Sequence, residues 1–210
     1  MARSTQRRAH VQSTGRQAPS AEEMLDEAIG LAEALPRGWS AVRLHAVAER
    51  LGVPPVAVLV EFRDLDAMAD AWFARALAAM IAEKPAGFIE RPARQRIEIC
   101  VLAWFDALAP HRQVTAQMLR TKLHLPHPHH WVPAVFNLSR TIHWLREAAR
   151  LPAPYGSRRS QVEEIGLTAL FLSTLAVWSR DDSEGQERTR RFLRGRLQQA
   201  DRMLARIPGL

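Results

Sequence analysis

The chain has 210 residues, of which 47% are hydrophobic and 24% charged, and a formal net charge of +7. That balance is typical of a globular protein with one large domain or two small ones. The single cysteine, Cys100, excludes an internal disulfide framework, and the sequence lacks an apolar run of about 18 residues that would predict a membrane span.

The N-terminal segment, residues 1–19, is polar and without periodicity, which predicts a disordered arm. It is basic and contains no acidic residue. Arginine pairs well with phosphate, so DNA or an anionic lipid is the expected partner, although a general preference for arginine over lysine would also explain the charge. We expect a cytoplasmic protein. The alternative is a mitochondrial transit peptide, which shares this composition.

The first predicted helix begins at Ser20, where Ser20-Ala-Glu-Glu23 has the capping-box pattern. Pro36 and Gly38 stop it. Ser40 is predicted to cap a second helix that ends at Gly52.

A third, short helix is predicted from Pro54-Pro55 to about Phe62, and a fourth begins at Asp64. Further apolar stripes at helical spacing follow to the end of the chain. Ser160-Gln-Val-Glu163 and Ser183-x-x-Gln186 suggest two more capping boxes, and Asp181-Asp182 suggests another cap. Because alternating β-branched runs are missing, we predict an all-α fold of about nine helices.

The strongest local signal is the pair of short helices from Val42 to Phe62. Ala48-Glu-Arg-Leu-Gly52-Val53 followed by a short helix has the helix-turn-helix layout. From about Met24 to Phe73 the sequence resembles the N-terminal domain of the TetR family of transcriptional regulators. The resemblance implies a headpiece over residues 20–63, a ligand-binding and dimerisation domain over residues 64–210, and contact with DNA. The candidate DNA-binding residues are Arg3, Arg7, Arg8, Arg43, His45, Pro55, Ala57, Val58 and Arg63.

The third helix departs from the family pattern. Where the family offers hydroxyl, Tyr or His side chains and a phosphate-binding Lys, this chain has Ala57, Leu59, Glu61 and Leu65. Base edges are read through side-chain donors and acceptors, which Ala57, Leu59 and Leu65 lack. Glu61 has the wrong charge to face the DNA phosphates. DNA contact is therefore expected to depend on Arg43, His45, Arg63 and the arm, which position a protein without specifying sequence.

From Arg94 onward the chain resembles the COQ-nine family, which also has a TetR-like fold. Leu125-Pro126-His127, Ile142-His-Trp144-Leu145 and Trp178-Ser-Arg-Asp-Asp182-Ser183 bear the likeness. This second resemblance implies a lipid-binding accessory protein of ubiquinone biosynthesis that does not bind DNA. It is the alternative to a regulator, and a helical interaction module is a third possibility.

The second half is rich in aromatic residues that are candidates for lining a cavity for an apolar ligand. These are Trp104, Phe105, Trp131, Phe136, Trp144, Phe171 and Trp178. A buried Trp needs a partner for its indole N–H, so one of them is a candidate hydrogen-bond donor to a ligand.

Four histidines, His124, His127, His129 and His130, cluster beside prolines. A solvated loop explains them better than zinc, because neither a cysteine-containing structural motif nor an HExxH helix is present. We expect no metal, no cofactor and no enzymatic activity, since the sequence shows neither a catalytic triad nor a phosphate-binding glycine loop.

The last two helices are the expected homodimer faces, because the segment from Glu163 to Trp178 is apolar on most sides. The final helix has an apolar stripe backed by arginines. Packing of that stripe in the core or at a dimer interface is favoured over contact with an anionic membrane. The leading hypothesis is therefore a homodimeric TetR-like regulator that senses a hydrophobic ligand.

Overall fold

The computed structural model describes residues 18–122 and 128–204, except for the side chains of residues 128–134 and 204. Every regular element in these ranges is helical, which confirms the all-α prediction. None of the helices searched there is long and apolar enough to cross a membrane. The α-helices are α1 (Ala21–Ala34), α2 (Leu44–Leu51), α3 (Pro55–Glu61), α4 (Leu65–Ile81), α5 (Ala93–Leu108), α6 (Arg112–Lys122), α7 (Pro128–Ala148), α8 (Arg158–Trp178) and α9 (Glu187–Leu204).

The start of α1 has the predicted capping box. The Glu23 amide donates to Ser20 Oγ at 3.2 Å, and the Ser20 amide donates to Glu23 Oε2 at 2.7 Å. Asp64 likewise caps α4, since its Oδ1 accepts the Ala67 amide at 2.7 Å. Both interactions satisfy amides that the helix itself leaves without a partner.

The prediction that Ser40 caps α2 is wrong. Ser40 lies within a short 3-10 turn, Gly38–Ala41, and its hydroxyl donates to the Arg37 carbonyl at 3.0 Å. The extra turn moves the start of α2 to Leu44, with Arg43 at the capping position. A one-turn insertion between two helices leaves little periodic signal in a sequence.

Gly52 ends α2 in the left-handed conformation, at φ +68°, and its amide donates to the carbonyls of Ala48 and Glu49. Glycine occupies this conformation without the steric cost of a Cβ. The turn directs the chain into α3, and the fully buried Val47, Ala48 and Val58 lie between the two helices. The predicted helix-turn-helix is thus present as a packed unit.

Two other predicted capping boxes are wrong. Helix α8 is capped by Ser157, whose Oγ accepts the Ser160 amide at 3.1 Å, so Ser160 already lies in the first turn. At the start of α9, Gln186 has φ +59° and turns its side chain inward to Trp178. Asp181 accepts the Thr189 amide at 2.8 Å, as the Asp181-Asp182 pattern predicted, and Ser183 Oγ accepts the Arg188 amide at 3.0 Å.

Helix α7 differs from its prediction at its N-terminus. Pro128, His129 and His130 form its first turn instead of a loop. Val135, Ile142, Leu145 and Ala149 form an apolar stripe at helical spacing, but Val135 is 55% exposed and only the other three are buried. The apolar stripe therefore packs against the core only over the second half of the helix.

The core is continuous from the headpiece to the C-terminal helices. Helix α5 lies at its centre, in contact with α4, α7 and α9. Its fully buried residues include Cys100, Phe105 and Leu108. Helices α3 and α5 therefore belong to one packed structure.

Candidate functional site

Helix α3 presents an apolar face to solvent. Val56, Leu59 and Val60 are 59%, 58% and 77% exposed, and Pro55 at the first position of the helix is exposed as well. Ala57 is half-buried. Large aliphatic side chains on a solvent-facing helix usually indicate a contact surface, because they gain free energy only when covered.

Val58 was included among the candidate DNA-binding residues, and the structure corrects this. Its side chain is 0% exposed and packs against α2. A residue at the centre of the helix-turn-helix core stabilises the unit but does not reach a partner molecule.

Exposed basic side chains lie at the start of α2 and directly after α3. Arg43 and His45 are both exposed at the start of α2. The Arg43 Nη1 donates to the carbonyls of Ser40 at 3.2 Å and Val42 at 3.0 Å, which holds the guanidinium beside the 3-10 turn. Arg63 follows α3 with its side chain 77% exposed and pairs with Asp64 at 3.1 Å. Arg3, Arg7 and Arg8 lie outside the described residues.

Polar contacts connect the headpiece to the body. The Trp39 amide donates to Gln117 Oε1 of α6 at 2.7 Å. His111 Nδ1 lies 2.7 Å from Glu33 Oε1 of α1. Gln117 was not singled out from the sequence, since a lone glutamine on a helix gives no local signal of a contact 78 residues away.

Arg75 of α4 adds another connection to α1. Its guanidinium donates to Asp26 Oδ1 at 2.7 Å and also pairs with Glu22. Arg75 also lies over the Trp72 ring, 5.1 Å from its centroid. Polar contacts therefore join α1 to α4 near the start of α1 and to His111, which precedes α6, near its end.

Four of the seven candidate ligand-lining aromatics pack on one another. Trp104 contacts Phe105 and Phe171 edge-to-face, with centroids 5.1 and 5.0 Å apart. Phe105 stacks on Phe171 at 5.6 Å and lies 5.3 Å from Trp178. Such spacings are typical of a filled aromatic core.

The two indole N–H groups in this cluster differ. Trp178 Nε1 donates to Gln186 Oε1, and Gln186 in turn donates to Asp106 at 2.7 Å. Trp104 Nε1 is buried and has no hydrogen-bond partner among the described residues. A buried donor without a partner is costly, so Trp104 is the position where an acceptor on a ligand would gain most.

The remaining candidates lie elsewhere. Phe136 is 68% exposed on α7, and Trp144 is 42% exposed and lines an open surface cleft of about 570 Å³ between α7 and the end of α4. Trp131 belongs to α7, but its side chain is outside the described set. The structure does not bring Phe136 or Trp144 together with the Trp104 cluster.

The histidine cluster is only partly described. His129 and His130 lie in the first turn of α7, while His124 and His127 fall outside the described residues. Among the residues that could be searched, no group of three or more His, Cys, Asp or Glu side chains could hold a metal ion.

Helix α8 has a second exposed apolar face. Val162, Ile165 and Leu172 are 47%, 72% and 44% exposed, and Ala169 and Ala176 lie on the same side. On the opposite side, Leu167, Phe171, Thr174 and Trp178 are buried. The helix is thus apolar on both sides, as the sequence predicted.

The chain has a helix-turn-helix headpiece with an exposed third helix. The headpiece is joined to a helical body that has an exposed apolar face on α8. These features define the class of two-part helix-turn-helix proteins. The chain resembles the TetR transcriptional regulator from Nitrosomonas europaea ATCC 19718, with 40% sequence identity, a TM-score of 0.75 and coverage of 86% of this chain and 97% of that one. The protein belongs to the TetR family.

Two other similarities are more limited. A TetR transcriptional regulator from Rhodococcus sp. RHA1 has a TM-score of 0.62 at 16% identity, over 85% of this chain and 93% of that one, and shows the common fold. The COQ9 family model matches residues 164–204, which comprise most of α8 and α9. A search of curated proteins returns no match.

Proposed function

We propose that this TetR-family protein acts as a DNA-binding transcriptional regulator, without enzymatic activity, and that its helical body senses a hydrophobic ligand. The observation that best supports the proposal is the packed α2–α3 unit with α3 exposed, in a chain 40% identical to a TetR transcriptional regulator. In this proposal residues 20–63 are the headpiece, residues 64–210 are the body, and residues 1–19 are a basic arm.

Phosphate contacts would supply most of the DNA affinity. Arg43 at the start of α2 and Arg63 directly after α3 are exposed, and the arm contributes Arg3, Arg7 and Arg8. Glu61 beside them opposes the attraction. Binding of this kind weakens steeply as salt rises, because each neutralised phosphate releases counterions.

A homodimer through α8 and α9 would cover the apolar face of α8. Ile165 at 72% exposure is the most exposed residue of that face. Helix α9 lies against α8, and its Met203 is 59% exposed. A two-fold axis here would place two α3 helices on one side of DNA, which operator recognition by helix-turn-helix dimers requires.

The ligand would bind next to Trp104, in space made by displacing the rings that pack against it. The aromatic side chains Phe73, Phe105 and Phe171 surround that ring, and its buried N–H lacks a described partner. An apolar or aromatic molecule with one hydrogen-bond acceptor fits this chemistry. Helices α4 and α6 then connect the body to the headpiece through Arg75, His111 and Gln117, so a ligand-dependent shift of either helix would alter the orientation of α3.

The direct test is a titration of the purified full chain with DNA from its own promoter region at about 50 and 200 mM salt. Selective binding over a scrambled duplex at both concentrations is expected. Arg43→Ala and Arg63→Ala should each weaken DNA binding. Arg94→Ala on α5 is the matched control and should leave DNA binding unchanged. Equal affinity for both duplexes at both salt concentrations would overturn the proposal.

A second candidate function is lipid presentation of the COQ-nine kind, without DNA contact. It is supported by the COQ9 model match over residues 164–204 and by the lack of base-reading groups on α3. Extraction of the purified protein with organic solvent distinguishes the two. A bound isoprenoid together with non-selective, salt-sensitive DNA binding would favour this second function.

A further inference from the structure

The exposed side chains of α3 restrict what a DNA-bound headpiece is able to read. In a helix-turn-helix, the N-terminal residues of the second helix contact base edges in the major groove. Here Val56, Leu59 and Val60 occupy the outward face and have neither donor nor acceptor atoms. Hydrogen-bonded readout of a base edge by these three side chains is therefore ruled out by their chemistry.

The major groove offers one apolar group that distinguishes a natural base pair, the C5-methyl group of thymine. A face made of valine and leucine matches that group, since both surfaces leave water on contact. Polar groups of any base pair would lose hydrogen bonds with water against the same side chains, but only a pair containing thymine offers a methyl group that offsets this loss.

The charges around the face favour DNA over a neutral partner. Arg43 is exposed at the start of the neighbouring helix α2, Arg63 is exposed directly after α3, and the chain has a net charge of +7. Val58, buried beneath the face, fixes α3 against α2, so the aliphatic side chains are held on a rigid element.

We propose that α3 recognises its operator through thymine methyl groups, with Val56, Leu59 and Val60 as the specificity-determining residues. This inference rests on the proposed DNA-binding function. It predicts that the operator half-sites have thymines at the major-groove positions that face α3.

The test begins with selection of binding sites from a randomised duplex pool by the full-length protein. The best selected duplex is then compared with the same duplex in which deoxyuridine replaces the thymines of one half-site, a change that removes only the methyl groups. Each contacted methyl should contribute about a fourfold change in affinity, from about 0.8 kcal/mol for each buried methyl-sized group. The same replacement in a non-selected duplex is the control for effects on DNA shape and should leave affinity unchanged.

Variants assign the effect to α3. Leu59→Ala should reduce the penalty for deoxyuridine, because the side chain that contacts the methyl is shortened. Since Leu59 is 58% exposed, its truncation should leave the melting temperature close to that of the wild type. Ile89→Ala, at a residue 57% exposed on the body, is the matched control and should retain the full penalty.

The outcomes separate the two proposals. Selective DNA binding with no loss on deoxyuridine substitution, or selected sites without thymine enrichment, would overturn methyl readout and leave the regulator intact. Absence of any selected sequence would overturn both, and would direct attention to a lipid or protein surface as the occupant of the α3 face.

Discussion

The backbone amide of Trp39 donates a 2.7 Å hydrogen bond to the side chain of Gln117, which joins the turn before α2 to helix α6 of the body. The contact is close because the residue before Trp39 is Gly38, at φ +59°. A Cβ built on Gly38 would lie 1.9 Å from Gln117 Oε1. The absence of a side chain on Gly38 thus allows the contact between Trp39 of the headpiece and Gln117 of the body.

Gly38→Ala is expected to destabilise the protein by about 2 kcal/mol or more, because it combines a left-handed backbone with a steric clash. Gln117→Ala in the same chain should recover part of the loss by removing the clashing atoms. Urea unfolding of the single and double variants measures both effects. The control is Gly30→Ala within α1, where the added Cβ meets nothing within 4 Å and the change should stabilise by about 0.5–1 kcal/mol. Equal effects of the two glycine substitutions would contradict this explanation.

The two buried tryptophans Trp72 and Trp104 should respond differently to replacement by Phe. Trp72 Nε1 donates to Thr115 Oγ1 at 2.8 Å, whereas Trp104 Nε1 has no described partner. Both substitutions remove similar volume, so the difference reports the hydrogen bond. Trp72→Phe should cost about 1 kcal/mol more in the free energy of unfolding than Trp104→Phe. An equal loss would indicate that the Trp104 N–H has a partner in solution.

Stability should fall in acid because of Asp181. Burial raises the pKa of this carboxyl, but hydrogen bonds from Ser183 and Thr189 outweigh it and lower the pKa from 3.8 to about 2. Because the pKa of Asp181 is lower in the folded than in the unfolded state, its ionised carboxylate stabilises the fold at pH values above the unfolded-state pKa. This stabilisation is lost as the pH falls through about 2. The shift corresponds to about 2 kcal/mol.

Asp181→Asn should therefore lower stability near neutral pH and flatten its dependence between about pH 5 and pH 2. Denaturant unfolding at several pH values measures the slope. Asp182→Asn, at the exposed neighbouring residue, is the matched control and should leave both stability and slope nearly unchanged.

Arg96 should contribute more to stability than any exposed arginine pair. Its guanidinium donates to the carbonyls of Ile89, Arg91, Ala149 and Arg150 and so fastens the loop before α5 to the end of α7. Arg96→Lys should lose about 2 kcal/mol, because an ammonium group cannot reproduce the planar fork. Arg94→Lys, at an exposed pair with Asp201, should change the free energy of unfolding by less than about 1 kcal/mol.

The α8 face gives a prediction about assembly. Ile165→Glu should convert a dimer to a monomer in analytical ultracentrifugation, because a charge at the centre of an apolar interface is left without a partner. Ile89→Glu, with a similar exposed fraction on the loop before α5, should leave the mass unchanged. A dimer that persists in Ile165→Glu would place the interface elsewhere.

The sequence by itself determined the helical class, the helix-turn-helix and several caps. These depend on local patterns: apolar residues at helical spacing, the Ser20–Glu23 capping box, Asp64 before α4 and Gly52 at the turn. The sequence also revealed that α3 has no hydrogen-bonding side chain except the acidic Glu61, since residue type alone settles that chemistry.

Only the tertiary structure decided which side chains face a partner. Val58 and Val60 are both valines on one short helix, yet Val58 is buried and Val60 is 77% exposed, because α2 covers one side of α3. The contacts of Gln117 and Arg96, and the burial of the Trp104 N–H away from any described acceptor, likewise depend on helices distant in sequence. A local pattern fixes the formation of a helix, whereas the partner of a polar group depends on how helices pack, and that information lies in no single segment.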